Sequence, residues 1–172
     1  HELQPAIDAL AKAQGVPNRF EVRRGVSRHV YLLDTVKASH WSTLIVLEHL
    51  PELGVKDLIV VLGQVSDIKN VTSRNYRKMI RALVKSGITV VGVGPAAGPA
   101  RKIAAEGFPA AFGFDTRHEV AAWLKTRAPG VVLLKGGKIL PLNTIADADG
   151  ATHIDLDQLA PEETLPSAHE LP

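Results

Sequence analysis

The sequence has no cysteine. That absence excludes disulfide staples, thiolate metal sites and cysteine nucleophiles, and it fits a cytoplasmic protein. No apolar run approaches the roughly 18 residues that span a bilayer, so no membrane partner is expected. No signal peptide opens the chain. A GxxxxGK[ST] phosphate loop is absent as well. The one Gly-Lys pair, Gly137-Lys138, is followed by Ile139 and lacks the upstream glycine, which excludes a self-sufficient P-loop ATPase. HExxH, EF-hand and GxSxG signatures are missing. The seven histidines are scattered, so the sequence supports neither a metal site nor a hydrolase. The first residue is His1; either the start was processed or the chain is a piece of something longer.

What is there points to one domain of ordinary size. The chain has 172 residues, 45% of them hydrophobic, enough to bury about 70% of the surface its unfolded form exposes. The net charge of +2 hides an asymmetry. From Ile139 to Pro172 there are seven acidic residues and no Lys or Arg. Residues 1–138 hold all 20 basic residues and the other 11 of the 18 acids, a balance of +9. A basic body suits an anionic ligand such as a nucleotide phosphate; a solvated surface with a neutralising tail is the plainer reading. Nucleic acid is not expected as a partner.

Hydrophobic periodicity alternates along the chain. Residues 3–14 read as a short helix ended by Gly15 and Pro17. Arg19–Arg24 reads as a strand, Gly25–Arg28 as a turn and His29–Asp34 as a buried strand. A helix is expected over 42–53, capped by Ser42 and closed by Pro51. Asp57–Gly63 is a stronger buried strand. Ser73–Ser86 is an amphipathic helix with its stripe at Tyr76, Met79, Ile80, Leu83 and Val84, and Gly87 ends it. Ile88–Val93, Ala110–Phe114 and Val131–Lys135 read as further strands. Helices are expected over Pro99–Glu106 and Thr116–Lys125, with Trp123 in the core. Near-continuous Val/Ile/Leu strands alternating with helices imply an α/β, doubly wound, mostly parallel sheet with helices on both faces, Rossmann-like. The domain is drawn as 1–145, with 146–172 an acidic, proline-containing tail in which 153–159 could add an edge strand.

In such a sheet, ligands bind where strands end at their carboxyl termini. The loop Gly92–Gly98 lies between a strand and a helix, as a dinucleotide loop does, yet Pro95 removes a donor a phosphate would use. The loop after Asp34 is richer. It gathers a carboxylate, Lys37, two hydroxyls and the imidazole of His40 before a helix start. Asp34 can accept from ribose hydroxyls, Lys37 can neutralise phosphate, and a helix N-terminus offers free N–H groups. A strand-ending Asp beside an ordinary N-cap is the plainer reading.

At this loop the chain resembles the C-terminal domain of the Mur ligase family, over roughly residues 15–145. Asn18-Arg19-Phe20-Glu21 resembles the family's Gly-Arg-Phe/Leu-Glu entry segment, with Asn18 in place of glycine. Asp34-Thr35 through Lys37-Ala38-Ser39-His40 is similar to the signature loop, one residue displaced from the Asp-Ser-Lys-Ala-Thr-Asn form. Val60–Gln64 resembles the next strand and its glycine. Pro129-Gly130 through Lys135-Gly136 resembles Pro-Gly-Asp-x-Val-Leu-x-Lys-Gly-Ser-Arg, without the Asp, with Gly137 for Ser and Lys138 for Arg. A lysine at 138 lacks arginine's bidentate fork.

The resemblance implies a domain that closes on a P-loop domain in an ATP-dependent ligase. Such enzymes join a carboxylate, by default a UDP-muramoyl peptide, to an amino acid or peptide through an acyl phosphate. It implies nucleotide contacts for Asp34, Lys37, His40 and Arg19, and substrate-side roles for Ser39, Lys135 and Lys138. It implies ATP and Mg as cofactors, held mainly by a central domain. The partners would be the protein's own N-terminal and central domains. Plainer readings stand beside each: Arg19 a surface arginine, His40 and Trp41 packing the loop, Lys135 ending a strand in solvent. Two other functions fit the same fold, a stand-alone nucleotide-binding module and a non-catalytic interaction domain.

Overall fold

The computed structural model describes residues 15–65 and 72–154. The helix expected over 3–14 and positions 155–159 of the proposed edge strand lie outside those residues. Seven strands form one sheet: β1 (Arg19–Arg24), β2 (Val30–Asp34), β3 (Ile59–Leu62), β4 (Thr89–Val93), β5 (Ala111–Phe114), β6 (Val131–Lys135) and β7 (Thr152–His153), in the order β5-β4-β3-β6-β2-β1-β7. From β5 to β2 the neighbours are parallel. β1 is antiparallel to both β2 and β7, and β7 is the edge on that side.

The helices are α1 (His40–His49), α2 (Ser73–Lys85), α3 (Ala97–Ala105), α4 (Arg117–Leu124) and α5 (Asn143–Asp147). Strand side chains alternate between two cores. Val60, Leu62 and Leu133 point to the cluster shared with α1, α2 and α3. Tyr31, Leu33, Val61, Val132 and Leu134 point to the cluster shared with α4 and α5. Both faces are thus covered, as the Val/Ile/Leu runs require. Each fully buried aliphatic side chain contributes about 1.5–3 kcal/mol.

Local chemistry sets the ends. All five stripe residues of α2 are buried. Its C-terminus is a Schellman turn: Ile88 N–H donates to Leu83 O at 3.1 Å and Gly87 to Val84 O at 3.2 Å, with Gly87 at φ 81°. A capping box starts α4, with Thr116 and Glu119 each holding the other's backbone N–H. Two expectations need correction. The cap of α1 is Ser39, whose Oγ accepts from Ser42 N–H at 3.1 Å, so the helix begins before Ser42. Pro51 sits inside a 3₁₀ turn, Leu50–Leu53, that extends the helix; its missing N–H is tolerated in that turn's first residues. Trp123 is half-buried rather than core: its ring packs on Phe112 at 4.9 Å, and the Arg127 guanidinium covers it at 4.2 Å.

Past residue 145 the chain stays on the body as far as Ile154. Ala146 is buried, and Thr152 and His153 pair with Arg24 and Arg23. No helix among the described residues is long and apolar enough to cross a membrane.

Candidate functional site

Strand order places the site. The loops after β2 and β3 lead to α1 and α2 on one face, while the loop after β6 leads to α5 on the other. β6 lies between β2 and β3. Its carboxyl end is therefore flanked by chain leaving in the opposite direction, the switch-point geometry that opens a crevice in doubly wound sheets. Asp34 ends β2 and Lys135 ends β6, and the two are direct register partners.

Both side chains fall on the α1 face, by alternation from Leu32 and Leu133. There Lys135 Nζ donates to Asp34 Oδ2 at 2.5 Å. Lys135 is 1% exposed and the Asp34 side chain 9%. Nζ also lies 3.4 Å from Lys37 O, which ties the following loop to the pair. Backbone bonds lock the same corner: Gly136 N–H donates to Asp34 O at 3.2 Å and Gly63 N–H to Lys135 O at 2.9 Å.

The glycines here serve close packing. A Cβ on Gly136 would come within 2.9 Å of Leu142 Cδ1, and one on Gly63 within 3.0 Å of the same atom. Gly137 N–H donates to Gln64 O at 2.8 Å. At Gly92 a Cβ would run into the Ala96 carbonyl. The glycine loop thus folds back on its own strand as a 3₁₀ turn, Gly94–Ala96, a steric reason for glycine that needs no phosphate.

The structure brings together Asp34, Lys135 and the Lys37 backbone, and sets the other predicted residues around them. Ser39 caps α1 and donates from Oγ to Ser42 Oγ at 2.8 Å. His40 opens the helix, half-buried, with Nδ1 buried and lacking a hydrogen-bond partner. Arg19 is the antiparallel register partner of Asp34 and is exposed. The Lys37 side chain is exposed, as is Lys138 in the loop after β6.

Three residues that sequence reasoning did not assign to the site lie on the segments that build this corner. Thr43, three positions beyond His40 and so on the same helical face, is fully buried with Oγ1 unpaired. Thr35 is buried, and its N–H donates to Asn18 O at 2.9 Å. Asn18 Oδ1 is buried without a partner. The spacing of His40 and Thr43 was the one signal available for Thr43; nothing in the sequence placed Asn18 beside Thr35.

A pocket of about 130 Å³ opens elsewhere, lined by Arg117, His118, Ala121, Thr144 and Ala148. It belongs to the α4/α5 side and holds none of the residues above. Arg117 is already committed there, to Pro141 O at 3.0 Å and Thr144 Oγ1 at 2.9 Å. Chemistry ranks the Asp34 corner first.

No family model and no curated protein matches the sequence. Solved structures do share its fold. MurF from Acinetobacter baumannii superposes with a TM-score of 0.72 at 20% identity, over 87% of this chain and 34% of that one. The UDP-N-acetylmuramoylalanyl-D-glutamyl-2,6-diaminopimelate–D-alanyl-D-alanyl ligase from the same organism gives 0.67 at 21%, over 86% and 32%. MurF ligase from Thermotoga maritima, solved in complex with ADP, gives 0.61 at 19%, over 85% and 34%. The chain has the fold of a Mur ligase domain and spans about a third of the length of these ligases.

Proposed function

We propose that this chain is the substrate-closing, nucleotide-contacting C-terminal domain of an ATP-dependent amide ligase of the Mur type. The observation that carries the reading is the built corner at the switch point. A strand-ending carboxylate sits beside a buried lysine there, and the next loop delivers Lys37, Ser39 and His40 to a helix N-terminus.

The corner suits a nucleoside phosphate. Asp34 Oδ1 takes no part in the bond to Lys135 and is the acceptor for a ribose hydroxyl. Lys37, Lys138 and Arg19 surround the corner with positive charge for phosphates or an incoming carboxylate. Among the described residues no three His, Asp or Glu converge as metal ligands. In this reading ATP supplies the phosphoryl group that activates the acceptor carboxylate, and magnesium is held mainly by the central domain.

An exposed apolar rim supports closure. Phe20 beside the end of β2, Trp41 in the first turn of α1 and Ile139 after β6 are 57%, 74% and 76% exposed. All three belong to the carboxyl edge of the sheet, where a second domain would cover them. Closure of that kind expels water from a hydrolysable acyl phosphate and completes the site.

The test is amino-acid-dependent phosphate release from ATP by the protein encoded by the whole reading frame. Release that depends on an amino acid or peptide and falls at least tenfold in Asp34→Ala supports the reading. A whole protein that releases no phosphate with any amino acid or peptide, given UDP-muramoyl acceptors, sinks it.

A further inference from the structure

We infer that Lys135 is a positioning residue acting through Asp34 and the Lys37 carbonyl, and not a contact for phosphate or carboxylate. The inference rests on the nucleotide reading above and deepens it: the cation of the Lys135–Lys138 run that meets an anionic ligand is Lys138.

Geometry separates the two lysines. Lys135 is the last residue of a central strand, with β2 on one side and β3 on the other. Its side chain is 1% exposed, and two acceptors already hold Nζ: Asp34 Oδ2 and Lys37 O. To reach a ligand it would have to leave a buried carboxylate uncompensated, which is strongly unfavourable. Lys138 stands three residues later in an exposed loop and can meet an anion at no such cost.

The pair is a poor device for stability alone. A buried ion pair replaced by apolar residues of similar volume is often no less stable. The equivalent place on β3 is Leu62, which faces the same core and is the other register partner of Lys135. An apolar end to the strand is therefore available to this fold. What the ion pair adds is orientation. It holds Asp34 through Oδ2 and leaves Oδ1 out of that bond. Through Lys37 O it also sets the path of residues 35–39 into the Ser39 cap. Neutralised by Lys135, Asp34 accepts from uncharged hydroxyls without drawing in a cation.

The experiment uses the 172-residue chain, Lys135→Met, Lys135→Arg, and the double variant Asp34→Asn/Lys135→Met. Amide exchange at residues 35–39 reads the loop; adenosine and ATP titrations followed by amide chemical shifts read the ligand. In Lys135→Met the exchange of these amides should rise about tenfold, and affinity for adenosine and for ATP should fall by the same factor, about tenfold each, the loss of one charge-assisted bond. Lys135→Arg should keep part of both. The double variant removes the stranded carboxylate and so should recover melting temperature without recovering adenosine affinity, an outcome a merely structural lysine would not give. A loss confined to ATP with adenosine unaffected would make Lys135 a phosphate contact and overturn the inference. Unchanged exchange at 35–39 would overturn it as well. If the unsubstituted chain binds neither adenosine nor ATP, the nucleotide reading fails, and the exchange data still decide the role of Lys135.

Discussion

Tyr31 and Asp149 meet across 118 positions of sequence: the phenol donates to Asp149 Oδ2 at 2.9 Å in the buried layer under β2. The same carboxylate accepts from Ser27 Oγ and, through Oδ1, from Ser27 N–H at 3.2 Å. Val26 N–H donates to Asp149 O at 2.9 Å. One residue thus joins the β1–β2 turn to the segment after α5.

Asp149→Ala should therefore destabilise the domain by about 2–3 kcal/mol, because it leaves a buried phenol without an acceptor. Tyr31→Phe should cost about 1–1.5 kcal/mol, since it removes a partner without stranding one as deeply. Gly25→Ala should fail similarly to Asp149→Ala, as a Cβ there would meet the Asp149 carboxylate. Urea melts of the three variants check this; a change below about 0.5 kcal/mol in Asp149→Ala would contradict the account.

Two groups should shape the pH dependence of stability. Glu21 is held below its ordinary value of 4.5, first by the hydrogen bond from Arg23 and then by Asn18 N–H, against the cost of burial. A depressed carboxyl adds stability above its unfolded value, lost as pH falls below about 4.5 toward the folded value. Burial, with Asp149 beside it, pushes the Tyr31 phenol well above 10.0. The unfolded phenol ionises first, so the Tyr31 contribution is complete below about 10 and is lost as pH rises beyond it. Glu21→Gln should flatten the acid limb of a plot of melting temperature against pH, and Tyr31→Phe the alkaline limb. A limb of unchanged slope in either variant would remove that residue from the explanation.

Asn18 adopts φ 61° where the resemblance suggests glycine. Asparagine is the side chain most at home there after glycine. Asn18→Gly should be nearly neutral, while Asn18→Val should cost about 1–2 kcal/mol through backbone strain. Denaturant midpoints check the order, and equal values would show that the conformation is not what selects the residue.

Much of the fold was legible because buried parallel strands announce themselves as short aliphatic runs: IVVL at Ile59–Leu62 and VVLL in β6 needed no context. The stripe of α2 was equally plain, since its apolar residues keep one face while its charges take the other. Sheet order was not legible. The insertion of β6 between β2 and β3 depends on long-range pairing, and with it went the contact of Asp34 with Lys135, 101 positions apart. Lys135 read equally well as a strand end in solvent, because nothing local records what lies beside it. Ser42 read as the N-cap, and only the backbone shows that Ser39 takes that role. Trp123 read as core by size, but Arg127 and the edge strand β5 leave it half-buried.

The central claim is that the switch-point corner is where this chain meets a nucleotide. Titrating the 172-residue chain with ADP while mapping amide chemical shifts tests it most directly. Shifts concentrated at residues 34–43 and 136–138 are the predicted result. Shifts centred on Gly92–Gly98 or on the pocket at Arg117 and Thr144, or none at millimolar ADP, would contradict it.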